Sequence, residues 1–152
     1  MNYALLCPGQ GSQFVGMGKE IFEDSTLAKE CYNQASEILN FDLADISFNG
    51  PDVNLNKTQF TQPAIFAHSY ISAKELINTQ NLKFSIGAGH SLGEITALTL
   101  AEVISFEDSV TIIKVRANSM AEAKNINPGK MAAIIGANDD QMKKICNQSG
   151  IV

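Results

Sequence analysis

Hydrophobic residues along this chain fall into short continuous runs separated by longer stretches with helical spacing. Tyr3, Ala4, Leu5, Leu6 and Cys7 form an apolar run that stops at Pro8, the pattern of a buried first strand ending in a loop. Helical patterns follow over about residues 27–39 and 64–77, the second with Pro63 suited to the first helical position. Between them Asn49, Gly50, Pro51 and Asp52 mark a turn. Phe84, Ser85, Ile86, Gly87 and Ala88 read as a second strand, and residues 95–101 read as a helix packed on a sheet. Ser105, Phe106, Glu107 and Asp108 have the form of a capping box opening a helix to about Ala123. Asn127, Pro128 and Gly129 break that pattern, residues 131–135 read as a strand, and residues 138–141 cap a further helix reaching about Gln148. Strands alternating with helices of this length predict an α/β layer with parallel strands. Gly150, Ile151 and Val152 look like the start of another strand, so the sequence is expected to be the N-terminal part of a longer protein.

The strand over 84–88 runs straight into Gly89, His90, Ser91, Leu92, Gly93 and Glu94. A G-x-S-x-G box between a strand and a helix forces a sharp turn, and glycines on both sides let the backbone pass close to neighbouring elements. The serine then stands at the tip, near the N-terminus of the next helix, where unpaired N–H groups favour developing negative charge. Five residues match a short pattern by chance often enough, but here both flanks that the motif requires are present. Ser91 is therefore the candidate acyl acceptor.

With 152 residues, 45% of them hydrophobic and 18% charged, the chain can build one ordinary globular core and is not of disordered composition. Neither a transmembrane span nor a signal peptide is readable, which makes the cytoplasm the default location. Cys7, Cys31 and Cys146 are far apart and lack C-x-x-C spacing, so they read as reduced thiols and not as a disulfide framework or a zinc site; no metal site is expected. A net charge of −5 argues against general nucleic-acid binding, which needs clustered Lys and Arg.

Three further positions bear on chemistry. The glycine-rich stretch Pro8, Gly9, Gln10, Gly11, Ser12, Gln13 fails the Walker A pattern, since Met17 follows Gly16, and fails the dinucleotide fingerprint, since Phe14 replaces its last glycine. A tight Gly-x-Gly loop at a strand end can still turn a backbone N–H towards a pocket, and Gln10 sits between the glycines as half of a candidate oxyanion hole. Arg116 has Ile112, Ile113, Ser119 and Met120 as its helical neighbours, none of them acidic. An arginine on such a face is either paired with an acid from another element or aimed at a carboxylate on a substrate. His90 and His68 both read as structural: the first adjoins Ser91 on a tight turn, so its ring should point away, and the second lies in a predicted helix of undefined facing.

Taken in order, P-G-Q-G-S-Q at Pro8 to Gln13, T-Q-P-A at Thr61 to Ala64, G-H-S-L-G-E at Gly89 to Glu94, V-R-A-N-S-M around Arg116, and G-K-M-A-A-I at Gly129 to Ile134 resemble the malonyl-CoA:acyl carrier protein transacylase family. The resemblance covers the whole chain. It implies a ping-pong transfer in fatty acid biosynthesis, in which Ser91 takes malonate from malonyl-CoA and passes it to the phosphopantetheine thiol of acyl carrier protein. By the same resemblance the backbone N–H groups of Gln10 and Leu92 form the oxyanion hole and Arg116 grips the free carboxylate of malonate. Gln62 and Met131 match positions lining that pocket, and His90 is grouped with the substrate-binding residues. Beyond these substrates no cofactor is implied, and neither nucleic acid nor membrane is an expected partner.

The implied fold is an α/β-hydrolase-like core with a parallel sheet, occupying residues 1–126, plus the beginning of a ferredoxin-like subdomain over 127–152. The family's general-base histidine belongs to a segment past that subdomain, so the 152 residues alone are expected to turn over poorly or not at all. Three alternatives stay open: an acyltransferase domain of a polyketide synthase, a serine hydrolase or thioesterase that delivers the acyl group to water, and an inactive fragment that holds CoA thioesters without turnover.

Overall fold

A computed structural model describes residues 3–126 and 134–149. It is a mixed α/β structure: strand β1 (Tyr3–Cys7), helices α1 (Lys19–Asp24), α2 (Thr26–Leu39), α3 (Leu43–Asn49), α4 (Asp52–Leu55) and α5 (Thr58–Gln80), strand β2 (Phe84–Gly89), and helices α6 (Leu92–Leu100), α7 (Phe106–Ile126) and α8 (Asp139–Ser149). Among the described residues the sheet has two strands, β1 and β2, which pair in parallel with Leu5 opposite Gly87 and Cys7 opposite Gly89. Parallel partners need a long crossover, and α1 to α5 supply it. The parallel pairing agrees with the α/β expectation.

Burial of the first strand does not agree. Only Cys7 of β1 is buried, and Leu6 is 77% exposed, as is Ile86 of β2 at 68%. Helix α6 packs on both strands, with Ala97 next to Gly87, and leaves the Leu6 and Ile86 side chains exposed among the described residues.

The core lies among helices. Residues 61–67 of α5 are buried without interruption, so this stretch is apolar on every side because neighbours surround it. Around it α2, α3, α6 and α7 contribute Tyr32, Leu43, Leu92, Val110 and Ile113. Two aromatic clusters close the gaps. Phe22, Tyr32 and Phe48 stand with ring centroids 5.0–5.6 Å apart, and Phe66, Tyr70 and Phe106 with centroids 4.9–6.1 Å apart. These are tilted, edge-on or offset arrangements that the ring quadrupole favours.

Two helix boundaries differ from the sequence reading. Helix α5 starts at Thr58, which places Pro63 inside the helix and not at its first position. A proline there removes one backbone bond to the preceding turn. Burial of Thr61, Gln62, Pro63 and the four residues after it offsets that loss, and the Thr61 hydroxyl donates to the carbonyl oxygens of Leu55 and Lys57 at the helix entrance. The turn over 49–52 is flanked by α3 and α4, neither expected; Asp42 caps α3 by accepting from the Asp45 N–H at 2.8 Å.

The remaining boundaries agree to within a few residues. Ser105 Oγ accepts from the Asp108 N–H at 3.0 Å at the start of α7, and Asn138 and Gln141 form a reciprocal capping box ahead of α8, with bonds of 2.9 and 3.0 Å. The strand expected over 131–135 falls largely outside the described residues, and its described part, Ile134 and Ile135, is not in a strand. The apolar end at Gly150, Ile151 and Val152 also lies outside them.

Candidate functional site

Three segments converge where β1 and β2 end. The elbow is built from backbone first: the His90 N–H donates to the Cys7 carbonyl at 3.0 Å, extending the strand pairing by one bond, and the chain then turns at Ser91 with φ 56° and ψ −103° before α6 begins. A Cβ on Gly89 would fall on the Gly93 carbonyl, and a Cβ on Gly93 would fall on the Cys7 carbonyl. Both glycines of the box are therefore required by close backbone approach, as its spacing suggested. Ser91 is exposed at the tip, and Leu92 opens α6 with its side chain fully buried. In the first turn of α6 the Gly93 N–H donates to the His90 carbonyl at 2.9 Å and the Glu94 N–H to the Ser91 carbonyl at 3.2 Å, which ties the helix start to the elbow.

The glycine-rich loop is brought to the same place. A Cβ on Gly9 would meet the His90 carbonyl oxygen at 2.6 Å and His90 Nδ1 at 2.8 Å, so a bare glycine lets this loop lie against the elbow. Its own side chains hold it: Ser12 Oγ donates to the Gly9 carbonyl at 3.0 Å, Gln13 Oε1 accepts from the Gly11 N–H at 2.8 Å, and Gln13 Nε2 donates to Asn56 Oδ1 at 2.6 Å. Gln10, exposed, reaches Thr58 Oγ1 at the start of α5 through its Nε2 at 3.5 Å. Its side chain is thereby engaged at the start of α5, while the preceding residue, Gly9, lies against the elbow.

Arg116 completes the arrangement. From α7 its Nη1 donates to Gln62 Oε1 at 2.6 Å and its Nη2 donates to Ser91 Oγ at 2.8 Å. The alternative of an acidic partner on another element is not what the structure holds: among the described residues the ion pair present is Lys74 with Glu102 at 3.7 Å. Gln62 is fully buried in α5, and its Nε2 donates to Met120 Sδ at 3.3 Å. A guanidinium has donors only, and here both bonded nitrogens meet neutral oxygens. Among the described residues no carboxylate pairs with its positive charge at the nucleophile.

Of the sequence-derived residues, Ser91, Leu92, Gln10, Gln62 and Arg116 are brought together, whereas Met131 lies outside the described residues. His90 belongs to the elbow, with Nδ1 against Gly9 and not directed along the serine. His68 Nδ1 is buried near Gly18 and Tyr32 Oη without a hydrogen-bond partner, and burial lowers its pKa. Sequence reasoning missed Thr58 and Met120 as contributors; for Met120 the available signal was its position one helical turn after Arg116. A cleft of about 540 Å³, lined by Glu20, Asp24, Ser25 and Glu75 among others, shares no residue with this site. Among the described residues there is no cluster of His, Cys, Asp and Glu able to hold a metal ion, and no helix is long and apolar enough to cross a membrane.

Comparison with known proteins gives the same direction. The acyl transferase domain family matches residues 4–152. The malonyl CoA-acyl carrier protein transacylase of Staphylococcus aureus strain MSSA476 is 38% identical over 143 residues, 94% of this chain and 46% of that protein. The Bacillus subtilis protein of the same name is 39% identical over 147 residues, covering 97% and 37%. Among solved structures, the acyl-carrier-protein S-malonyltransferase of Burkholderia pseudomallei 1710b superposes with a TM-score of 0.86 at 37% identity, covering 99% of this chain and 48% of that one. A malonyl-transacylase in complex with a type II polyketide acyl carrier protein gives 0.85 at 32% identity, covering 97% and 48%. The chain spans about half the length of these relatives or less, and it belongs to the acyl transferase domain family.

Proposed function

We propose that the chain carries the nucleophile half of a malonyl-CoA:acyl carrier protein transacylase acting in fatty acid synthesis. The observation that carries this reading is the Arg116 guanidinium bonded to Ser91 Oγ with no carboxylate paired to it among the described residues. An exposed serine on a strained turn is suited to attack a thioester, and a cation beside it is suited to hold a carboxylate on the same acyl group.

The reaction is an exchange of esters. Ser91 Oγ attacks the thioester carbonyl of malonyl-CoA and gives its proton to a base; the tetrahedral oxyanion is held by the N–H groups of Gln10 and Leu92. Collapse breaks the C–S bond, the thiolate of coenzyme A takes the proton back, and malonate stays as an ester on Ser91. The phosphopantetheine thiol of acyl carrier protein then attacks that ester, restoring the serine hydroxyl. Gln62 fixes Arg116, and Met131 and His90 complete the acyl pocket. With His90 against Gly9 and His68 against Gly18 and Tyr32, the base is assigned to a residue outside those described. The scheme uses no cofactor or metal. The described helices and sheet are read as part of an α/β-hydrolase-like core over 1–126, with a ferredoxin-like unit opening at 127, in a cytoplasmic protein.

A polyketide carrier protein is a second acceptor on this reading, favoured by the similarity to a transacylase paired with one. A thioesterase has no use for Arg116 in this position. Intact mass measured before and after incubation with malonyl-CoA, on a protein that carries these residues together with the base, tests the proposal: a single malonyl adduct, absent in Ser91→Ala, is the expected result. Absence of any adduct on the chain, with coenzyme A thioester merely retained, would assign these residues to binding without turnover.

A further inference from the structure

The fully buried amide of Gln62 is held at both ends by side chains of one neighbouring helix. Arg116 and Met120 are four residues apart on α7, hence one above the other on the same face, and Gln62 of α5 enters between them. We propose that Met120 is a positioning residue for substrate selectivity, its thioether fixing the Gln62 amide in the orientation that aims Arg116 at the acyl carboxylate. This rests on the proposed transacylase reading and adds a residue to it.

The argument is one of donors and acceptors. Arg116 offers only N–H donors, so the oxygen of the Gln62 amide must face it, as it does at 2.6 Å. The NH2 group must then face the other way, into surroundings where Gln62 is 0% exposed, and Met120 Sδ at 3.3 Å accepts from it. A thioether has lone pairs and no proton to give. Turning the amide over would set NH2 against the guanidinium and oxygen against sulfur, losing both bonds. Arg116 and Met120 therefore specify the same orientation from opposite ends. Leucine at 120 has nearly the same volume and no lone pair, so it leaves a buried N–H without an acceptor and removes one of the two groups that hold Gln62. Arg116 would then keep Ser91 Oγ as its firm partner and lose the anchor that directs it.

The test is the ratio of affinities for malonyl-CoA and acetyl-CoA, measured by titration calorimetry on the whole chain for the wild type, Met120→Leu, Gln62→Leu and the double variant. A ratio is insensitive to a general loss of stability, which would weaken both ligands alike. Met120→Leu is expected to reduce the malonyl preference about tenfold, or 1.4 kcal/mol. In the Gln62→Leu background the same substitution is expected to change the ratio no further, because Met120 acts through Gln62. Selenomethionine at position 120 keeps the lone pairs and is expected to retain the wild-type ratio. A malonyl preference that survives Met120→Leu, or losses that add in the double variant, would overturn the role of Met120 alone. A wild type that shows no malonyl preference would overturn the transacylase reading and the role of Met120 with it. As a measure independent of ligand, exchange of the Gln62 side-chain NH2 with water, read by NMR, is expected to accelerate in Met120→Leu while core backbone amides do not; an unchanged rate overturns the contact.

Discussion

Replacing Arg116 with alanine removes the charge at the nucleophile and leaves the fold nearly intact, because the side chain is half-buried and its bonds among the described residues go to two side chains. A guanidinium gripping a carboxylate makes charge-assisted bonds of about 1.5–3 kcal/mol each. Acetyl-CoA lacks that carboxylate and cannot receive them. With two such bonds, the affinity for malonyl-CoA relative to acetyl-CoA should fall by roughly a hundredfold or more in Arg116→Ala. Arg116→Lys keeps a charge and loses the planar fork, so it should fall in between. Stability reports separately: Gln62 Oε1 loses its donor while buried, at a cost of about 1–3 kcal/mol that a denaturant titration will register. Titration calorimetry with both thioesters is the assay. Equal losses for malonyl-CoA and acetyl-CoA would refute the reasoning, since they would mean that Arg116 serves the site's architecture and no carboxylate.

Gly93→Ala drives a methyl group into the Cys7 carbonyl, and the resulting overpacking should lower stability by about 1–3 kcal/mol, visible as a reduced melting temperature. Asn138→Ala breaks the reciprocal cap of α8 and should cost that helix about 1 kcal/mol, read as lost helical circular dichroism. Burial holds the His68 pKa below 6.5, so the folded state binds fewer protons than the unfolded one at lower pH; stability should fall as pH falls below 6.5, and His68→Leu should flatten that slope in denaturant titrations at pH 5 and 7. Burial, with Glu30 next in effect, pushes the Cys31 thiol up to about 11 from 9.0, so here the folded state binds more protons and stability should decline as pH rises between those values; Cys31→Ala should make that decline shallower, the buried Cys7, Tyr32 and Tyr70 supplying the remainder.

The site was more legible in the sequence than the packing around it. Gly89, Ser91 and Gly93 are local grammar: their spacing states a backbone approach that the Cys7 and Gly93 carbonyls make literal. Arg116 was legible as an unsolved arginine with two possible partners, and only the crossing of α5 over α7 resolved it in favour of Gln62 and Ser91. The start of α5 was not legible, because Pro63 imitates a first-turn signal while burial of its neighbours is a tertiary effect. Exposure of Leu6 and Ile86 could not be read either, since an apolar run says that a strand prefers cover and not whether described neighbours provide it.

The backbone at Ser91 also limits which atom can serve as nucleophile there. At φ 56° and ψ −103° an unbranched side chain is tolerated at a cost of about 1–3 kcal/mol, while a second heavy atom on Cβ crowds the adjoining peptide groups further. Cysteine fits the same turn and would present a thiolate in place of an alkoxide; threonine, chemically the nearer relative of serine, does not. The bend that lifts the hydroxyl into reach thus sorts candidate reagents by branching before it sorts them by element, and an exchange of oxygen for sulfur is open to this scaffold where the gain of one methyl group is closed.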